Sequence, residues 1–205
     1  MTLKFLPAGP SALLVELESQ DEVFSLVEAV SRHCRDGWGS TILDVVPGAR
    51  TVLLDGVDKP GSVADEIARW PLQPADREHT ALVEVPVRYD GPDLADVAAC
   101  WKVNEREVAK IHASLLHRVA FCGFAPGFAY IEGLGEGRRV PRRPSPRPQV
   151  PPGSVAVAGI YTGIYPRSSP GGWQLIGHTD LVLWDAERRP PALLVPGTPV
   201  RFTAR

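Results

Sequence analysis

Two periodicities alternate at the start of the chain. Residues 12–17 form an apolar run of strand length. Residues 21–34 then repeat apolar side chains at helical spacing, and Asp21 is the expected N-cap of that helix. A strand followed by an amphipathic helix is therefore predicted here.

The pattern then predicts a hairpin and a second helix. Two apolar runs, 41–46 and 50–54, flank a Pro-Gly-Ala turn, which favours a β-hairpin. Residues 62–65, Ser-Val-Ala-Asp, resemble a capping box and are expected to begin the second helix. The resulting order of strand, helix, strand, strand and helix predicts a ferredoxin-like α+β unit.

A polar connector separates this unit from the rest of the chain. Residues 71–80 contain two prolines and no apolar period, so we predict one domain over 1–76 and a second over 81–205. The second part opens with a predicted strand at 82–87 and two short helices, the later one capped by Asn104 and Glu107. From Val119 onward, short apolar runs alternate with Gly/Pro turns, which is typical of a β-barrel or sandwich.

The stretch 159–179 is the most informative segment. Glycines and prolines fix its backbone, and aromatic, amide, hydroxyl and imidazole side chains lie between them. Such a rigid frame favours a ligand-binding wall. The alternative is a barrel corner, in which the Gly-Gly pair turns the chain and Trp173 fills the core.

Two other segments share this density of motif residues. They are 123–134, which reads GFAPGFAYIEGL, and 148–159, which reads PQVPPGSVAVAG. Together with 159–179 they resemble the KipI/PxpB family, also called allophanate hydrolase subunit 1, and the resemblance covers roughly residues 115–202. The family pattern has Arg where this chain has His178, and a mostly neutral imidazole does not replace a guanidinium. The resemblance implies a cyclophilin-like barrel for the second domain.

The resemblance and the rigid frame together predict a set of substrate-binding residues. Arg147 belongs to this set because it directly precedes a family-like segment, whereas Arg138 and Arg139 fit a solvated basic loop better. We expect Gln174, Arg147 and Tyr165 to line one pocket with the Pro-Gly-Gly turn, and Gly172 to have a positive φ or an N–H aimed into that pocket. The full set is Phe124, Phe128, Tyr130, Arg147, Tyr165, Pro170, Gly171, Gly172, Trp173, Gln174 and His178.

Composition limits the classes of function. The chain has 205 residues, 44% apolar and 22% charged, with a net charge of -2, so no global field favours a nucleic acid or an anionic membrane. The N-terminus lacks an apolar signal region, which predicts a cytoplasmic location. The three cysteines form no CxxC pair and are expected to be buried thiols in a reducing compartment.

No self-sufficient catalytic set is visible. The chain has no phosphate loop, no nucleophile elbow, no H-E-x-x-H and no zinc-like spacing, so we predict no metal and leave the catalytic residues unassigned. Of the carboxylates, Glu132 ranks highest because it ends a family-like run, yet a lone Glu beside a glycine is more often exposed. A site completed by another chain is therefore expected.

The family resemblance also implies a function. It implies the B subunit of an ATP-dependent 5-oxoprolinase, which opens a lactam to glutamate with a KipA/PxpC-like subunit and a PxpA-like subunit. ATP is then a co-substrate of a hetero-oligomer, and this chain is inactive alone. The alternatives are a KipI-like inhibitor of a sensor histidine kinase and a purely structural role in the complex. Urea, allophanate and other amides remain open as substrates.

Overall fold

The computed structural model of the chain describes residues 3–38, 42–75 and 81–205. The chain divides into two compact units, Met1–His79 and Thr80–Arg205. Part of the predicted connector, residues 76–80, and the predicted strand start at Thr41 lie outside the described residues. In the described part, no helix combines the length and apolar character needed to cross a membrane.

The first unit is a four-stranded antiparallel sheet with two helices. The sheet order is β1-β2-β4-β3, and the helices supply apolar side chains such as Val23, Leu26 and Ile67 to one core. The predicted hairpin is present as β3 and β4, joined through Gly48, whose N–H donates to the carbonyl oxygen of Thr51 at 2.7 Å. The elements are β1 (Lys4–Pro7), β2 (Ala12–Glu16), α1 (Gln20–Arg35), β3 (Asp44–Pro47), β4 (Thr51–Asp55) and α2 (Pro60–Ile67).

Both helices of this unit begin at residues other than those predicted. Helix α1 is capped by Ser19, whose hydroxyl accepts from the N–H of Glu22 at 3.3 Å, so Asp21 lies inside the first turn. Helix α2 begins earlier than expected, at Pro60, with Lys59 as N-cap and no side-chain cap.

The ferredoxin-like assignment is not confirmed. That fold places its last strand after the second helix. Here the place beside β2 is held by β1, which precedes β2, and no strand follows α2 within described residues 68–75.

The second unit is built on a nearly closed, barrel-like sheet. Its order is β12-β9-β10-β7-β6-β13-β5, with β13 parallel to β5. Arg88, just after β5, and His178 of β12 exchange backbone hydrogen bonds of 2.9 and 2.8 Å, which brings the two edges together. The elements are β5 (Val83–Val87), α3 (Leu94–Trp101), α4 (Glu105–Ser114), β6 (His117–Cys122), β7 (Ala129–Glu132), a 3-10 turn (Glu136–Arg138), β8 (Arg147–Val150), β9 (Ser154–Ala158), β10 (Tyr161–Ile164), β11 (Ser169–Gly171), β12 (Gln174–His178) and β13 (Pro199–Ala204).

Helices α3 and α4 pack against the barrel. Val97 of α3 and Val108 of α4 are fully buried with barrel residues such as Phe202. The predicted capping box of α4 is present, since Asn104 accepts from the N–H of Glu107 at 3.0 Å and the Glu107 carboxylate accepts from the N–H of Asn104 at 2.9 Å. The coarse prediction of a β-rich second half is thus confirmed as a mixed α/β fold with a barrel-like sheet.

Candidate functional site

A cavity of about 180 Å³ lies where β8 and β11 form a separate two-stranded ribbon beside the barrel. Within that ribbon, Gly171 pairs with Arg147 and Ser169 with Val150, so two of the motif-rich segments meet there. The residues that line the cavity are Phe124, Phe128, Tyr130, Arg142, Tyr165, Pro170, Gly171, Gly172 and Trp173. We call this cavity the aromatic pocket.

The walls of the aromatic pocket are rings in edge-to-face contact. Phe128 is central, with ring centroids 5.4 Å from Tyr165, 5.5 Å from Trp173 and 5.2 Å from Phe124. Such contacts stabilise one arrangement of the rings beyond the effect of their burial. Phe128, Tyr165 and Trp173 are buried, so the wall is fixed before any ligand arrives.

Two glycines leave room for these rings. A Cβ on Gly163 would lie 2.8 Å from Cζ of Phe128 and 2.9 Å from Cζ3 of Trp173. A Cβ on Gly171 would overlap the hydroxyl of Tyr165. Glycine is therefore required at both positions by the close approach of the backbone to the rings.

Of the two alternatives predicted for Gly172, the positive φ is wrong, because the residues of positive φ do not include it, and an N–H aimed into the pocket stays a prediction. A Cβ there would meet only ordinary contacts, the nearest being Cβ of Pro146 at 3.6 Å. The left-handed backbone instead falls on Phe124, at φ 66°, on the rim of the pocket. A phenylalanine in this conformation is uncommon and locally strained.

Eight of the predicted binding residues line the aromatic pocket, and Arg147, Gln174 and His178 do not. Gln174 follows Trp173 directly, and neighbouring residues of an extended chain point to opposite sides. Its amide Nε2 donates to the carbonyl oxygen of Pro141 at 3.3 Å, so it contacts the arginine-rich loop, residues 138–147. His178 lies 3.3 Å from Asp180 and lines other cavities.

Arg147 is held by a buried carboxylate that the sequence analysis missed. Asp93, only 2% exposed, accepts from Arg147 Nη2 at 2.7 Å and from Arg143 Nη1 at 2.8 Å through the same oxygen. Its second oxygen accepts from the N–H of Leu175 at 2.7 Å. A buried charge needs this degree of compensation. We call Asp93, Arg143 and Arg147 the arginine clamp.

Arg142 is the guanidinium that lines the aromatic pocket. The sequence showed a run of arginines, but only the packing of the loop reveals which of them turns toward the rings. Burial raises the pKa of the Tyr165 phenol, and the N–H of Trp173 and the charge of Arg142 oppose this shift. The phenol stays protonated at neutral pH and can donate a hydrogen bond.

The chemistry of the lining is that of a binding site. It offers rings, two phenols and one guanidinium, and among the described lining residues there is no carboxylate, imidazole or thiol. General acid–base catalysis of hydrolysis ordinarily uses such groups. The pocket can therefore hold and orient a small ligand with an anionic or hydrogen-bonding group.

Curated relatives resemble the chain over nearly its full length. It is 39% identical over 208 residues to the 5-oxoprolinase B subunit of Escherichia coli, which covers 95% of this chain and 92% of the relative. It is 35% identical over 214 residues to the 5-oxoprolinase B subunit of Bacillus subtilis, and this match covers 95% of this chain and 89% of the relative.

Solved structures share the fold. The crystal structure of the protein TTHA0988 has a TM-score of 0.78 and 34% identity over 95% of this chain, which spans only 39% of that longer chain. The Kluyveromyces lactis urea amidolyase has a TM-score of 0.75 over 99% of this chain and 15% of its own, and at 19% identity this likeness concerns the fold alone.

A family model described as carboxyltransferase domain, subdomain C and D, matches residues 3–194. This match covers nearly the whole chain, and the curated relatives carry the name that the motif-rich segments implied. The chain therefore belongs to the family of the carboxyltransferase domain, subdomains C and D, and its resemblance to KipI/PxpB proteins is confirmed.

Proposed function

We propose that this chain is the B subunit of an ATP-dependent complex that hydrolyses a small amide, and that its substrate is the lactam 5-oxoproline. The observation that carries this proposal is the 39% identity to the 5-oxoprolinase B subunit of Escherichia coli over 95% of this chain and 92% of the relative. Similarity over nearly the whole of both chains favours a shared function more strongly than a shared fold does.

The aromatic pocket supports a compact ring as the ligand. Its volume of about 180 Å³ equals roughly six water molecules at the ~30 Å³ each occupies in the liquid. Rings such as Phe128 and Trp173 present flat apolar faces to a five-membered lactam, while phenol and guanidinium groups can bind its oxygens. We assign the lining residues of this pocket as the substrate-binding set.

ATP is the co-substrate of the complex in this proposal. A lactam is stabilised by resonance, and phosphorylation of its oxygen makes the ring carbon electrophilic. One water then adds to that carbon, and the C–N bond breaks as a proton passes to the ring nitrogen, which leaves an acyl phosphate. A second water hydrolyses this acyl phosphate to glutamate and inorganic phosphate. This chain's part is to bind and orient the ring.

The proposal includes partner subunits. The described lining lacks carboxylate and imidazole groups, so other chains must supply the acid and base that hydrolysis needs. We assign a KipA/PxpC-like subunit and a PxpA-like subunit to this role. Domains over 1–76 and 81–205, the latter of cyclophilin-like type, complete the proposed organisation of this protein.

Reconstitution tests the function. The chain and its two partners are purified separately and mixed in all combinations, with 5-oxoproline, Mg²⁺ and ATP. We expect glutamate and ADP to form in equal amounts only when all three subunits are present. A full mixture that forms a stable complex but releases no glutamate would refute the proposal, and inhibition of a sensor kinase's autophosphorylation by the chain would then favour the KipI-like alternative.

A further inference from the structure

The edge of the aromatic pocket is formed by an unusually cationic part of the chain. No Asp or Glu occurs between Glu136 and Asp180, and the same stretch contains six arginines. They are Arg138, Arg139, Arg142, Arg143, Arg147 and Arg167. Three of them have carboxylate partners, Arg139 with Glu136 and Arg143 and Arg147 with Asp93, so the arginines outnumber the acids they contact. Such an excess of positive charge attracts anions.

The arginines nearest the pocket have different partners. Arg143 and Arg147 both bind Asp93, and the N–H of Arg143 donates to the carbonyl oxygen of Gly172 at 2.8 Å. Arg142 lines the pocket and is exposed, and within the described ranges its guanidinium has neither an ion pair nor a hydrogen bond. The residues on either side of Arg142 are thus held in place, Pro141 by Gln174 and Arg143 by Asp93 and Gly172. The Arg142 guanidinium between them remains available to bind a ligand.

The arginine clamp leaves positive charge uncompensated. Two guanidiniums share one carboxylate, and Nε of Arg143 and Nη1 of Arg147 are buried without a hydrogen-bond partner. Together with Arg142, the clamp places three guanidiniums near the single carboxylate of Asp93 at this edge of the pocket. Buried or half-buried charges interact strongly because little water screens them.

We propose that Arg142 binds a carboxylate carried by the ring that occupies the aromatic pocket, and that Asp93 is a positioning residue for Arg142. This inference rests on the proposed function, since 5-oxoproline is a lactam ring that bears one carboxylate. Arginine suits this role because its planar fork binds both oxygens of a carboxylate. The rings bind the lactam body, and Arg142 selects the substrate by its charge.

A carboxylate fits the site better than a phosphate of ATP does. The cavity volume of about 180 Å³ suits a small substituted ring and is too small to enclose a whole nucleotide. The described lining is mainly aromatic rings, and it has two glycines, Gly171 and Gly172, rather than the run of successive amides that holds phosphates elsewhere. A raised KM for ATP in the Arg142→Gln variant would therefore indicate that Arg142 binds a phosphate of ATP rather than the carboxylate of the lactam.

Asp93 acts through the loop that carries Arg142. It lies 50 residues before Arg143 and 54 before Arg147 in the chain, and its contacts with both connect the loop to the start of α3 and to β12. Loss of this carboxylate frees two guanidiniums next to Arg142 and lets the loop shift. A small shift is sufficient to remove a bidentate contact.

The test compares 5-oxoproline with 2-pyrrolidinone, the same lactam without the carboxylate. With the reconstituted complex, we expect Arg142→Gln to raise KM for 5-oxoproline at least ~10-fold, with kcat, KM for ATP and KM for 2-pyrrolidinone little changed. Arg142→Lys should restore part of the loss. The matched control is Arg167→Gln, which removes the same charge from an exposed residue that does not line the pocket.

Calorimetric titration of the full chain keeps this test independent of turnover. If the wild-type complex hydrolyses neither lactam, the proposed function fails, yet binding of 5-oxoproline by the chain still reports on Arg142. Weaker binding of 5-oxoproline alone in Arg142→Gln supports the inference. Equal effects on both lactams, no effect, a raised KM for ATP, or no binding of 5-oxoproline by the wild type would overturn it.

Asp93→Asn tests the positioning role. A merely structural defect lowers the active fraction and reduces activity toward both lactams equally. We expect instead that the ratio of kcat/KM for 5-oxoproline to kcat/KM for 2-pyrrolidinone falls at least ~5-fold, since only the carboxylate contact is misplaced. An unchanged ratio would contradict the role assigned to Asp93, and if the variant fails to fold, the same ratio is measured with Asp93→Glu.

Discussion

At the scale of single residues, small side chains define the aromatic pocket as much as large ones do. Gly163 lies in β10, where a Cβ would come within 2.9 Å of two aromatic rings. Those rings are locked against each other by edge-to-face contacts, so they have little freedom to move aside. The shape of the pocket thus depends on the absence of one methyl group.

This dependence gives a prediction for Gly163→Ala. Overpacking of a tight core typically costs about 1–3 kcal/mol, so we expect the free energy of unfolding to fall by that amount and 5-oxoproline binding to weaken as the rings shift. Chemical denaturation and calorimetric titration measure the two effects. Gly137→Ala is the control, because a Cβ there meets no atom within 4 Å and the backbone has no positive φ.

If Gly163→Ala keeps the stability and ligand affinity of the wild type, the rings are not fixed by their mutual packing. Phe124 is the other unusual residue of the pocket. Its backbone has φ 66°, and such strain costs of order 1–2 kcal/mol in a residue with a Cβ. Natural proteins retain strain of this kind mainly at sites where the placement of a side chain matters.

At the scale of elements, a buried polar chain joins a helix to the barrel. His112 of α4 is fully buried and contacts Tyr89, which follows β5, at 2.8 Å and Thr162 of β10 at 3.0 Å. Burial lowers the pKa of His112 well below its usual value, with the charge of His117 as a second cause. The imidazole therefore stays neutral, with one nitrogen donating and the other accepting.

The lowered pKa predicts how stability changes with pH. Below about pH 6.5, the unfolded chain binds a proton at this imidazole and the folded chain does not, so stability falls as the pH falls. We expect a loss of up to about 1.4 kcal/mol per pH unit from His112, with a further loss from His117, whose pKa burial also lowers. Hydrogen exchange of β6 and β10 amides between pH 7.5 and 5.5 measures it.

The matched variant for this prediction is His112→Gln, which keeps hydrogen-bonding groups but does not titrate. It should be less stable at pH 7.5, yet its stability should change less steeply with pH than that of the wild type. An identical slope in both proteins would show that the titration of other groups causes the effect.

Elements held together by local contacts could be predicted from the sequence. The capping box of α4 and the β3–β4 hairpin are set by residues close in the chain, and both were found where expected. Strand β1 was missed because its four residues, ending in a proline, are too few to show a strand period, although its pairing with β2 is local. The join between Arg88 and His178 was missed because pairing over a long separation in the chain leaves no local signal.

In the candidate site, too, residues with a local signal were predictable and residues placed by long-range contacts were not. The glycine-rich frame and its aromatic residues were visible in the sequence, because rigid turns and rings have local signatures. Asp93 was not, since its partners lie 50 or more residues away. The choice between Arg142 and Arg147, and the exclusion of Gln174, depended on which side of the backbone faces the rings, which sequence spacing did not determine.

At the scale of the whole molecule, three exposed apolar side chains of the second unit lie in neighbouring segments beside the aromatic pocket. Phe124 is 60% exposed and Trp184 is 42% exposed. They belong to neighbouring segments, because a Cβ on Gly127 would lie 2.9 Å from Cβ of Trp184, and Phe124 lies in the same turn as Gly127. Val182, 62% exposed, lies in the same segment as Trp184. Adjoining exposed apolar side chains of this kind are typical of surfaces that a partner covers.

In the proposed complex, the KipA/PxpC-like subunit covers this surface. The described pocket lining lacks acid and base groups, and a companion seated at the rim would supply them next to the ligand. A stable interface of this kind should bury more than ~1,200 Å² in total.

The last prediction concerns Phe124→Asp. A charge in place of an exposed ring should disrupt packing with the partner, so we expect co-elution with the KipA/PxpC-like subunit to be lost and activity of the mixture to fall at least ~10-fold. The control is Leu116→Asp. Leu116 is 62% exposed and lies at the opposite end of β6 from Phe124, which is roughly 20 Å away at about 3.3 Å per residue of strand. Size-exclusion chromatography of each variant with the partner measures assembly, and thermal unfolding of each variant alone verifies its fold. Because Phe124 also lines the pocket, assembly rather than activity decides the result: a Phe124→Asp chain that co-elutes as the wild type does, or a Leu116→Asp chain that alone fails to, would place the partner on another surface.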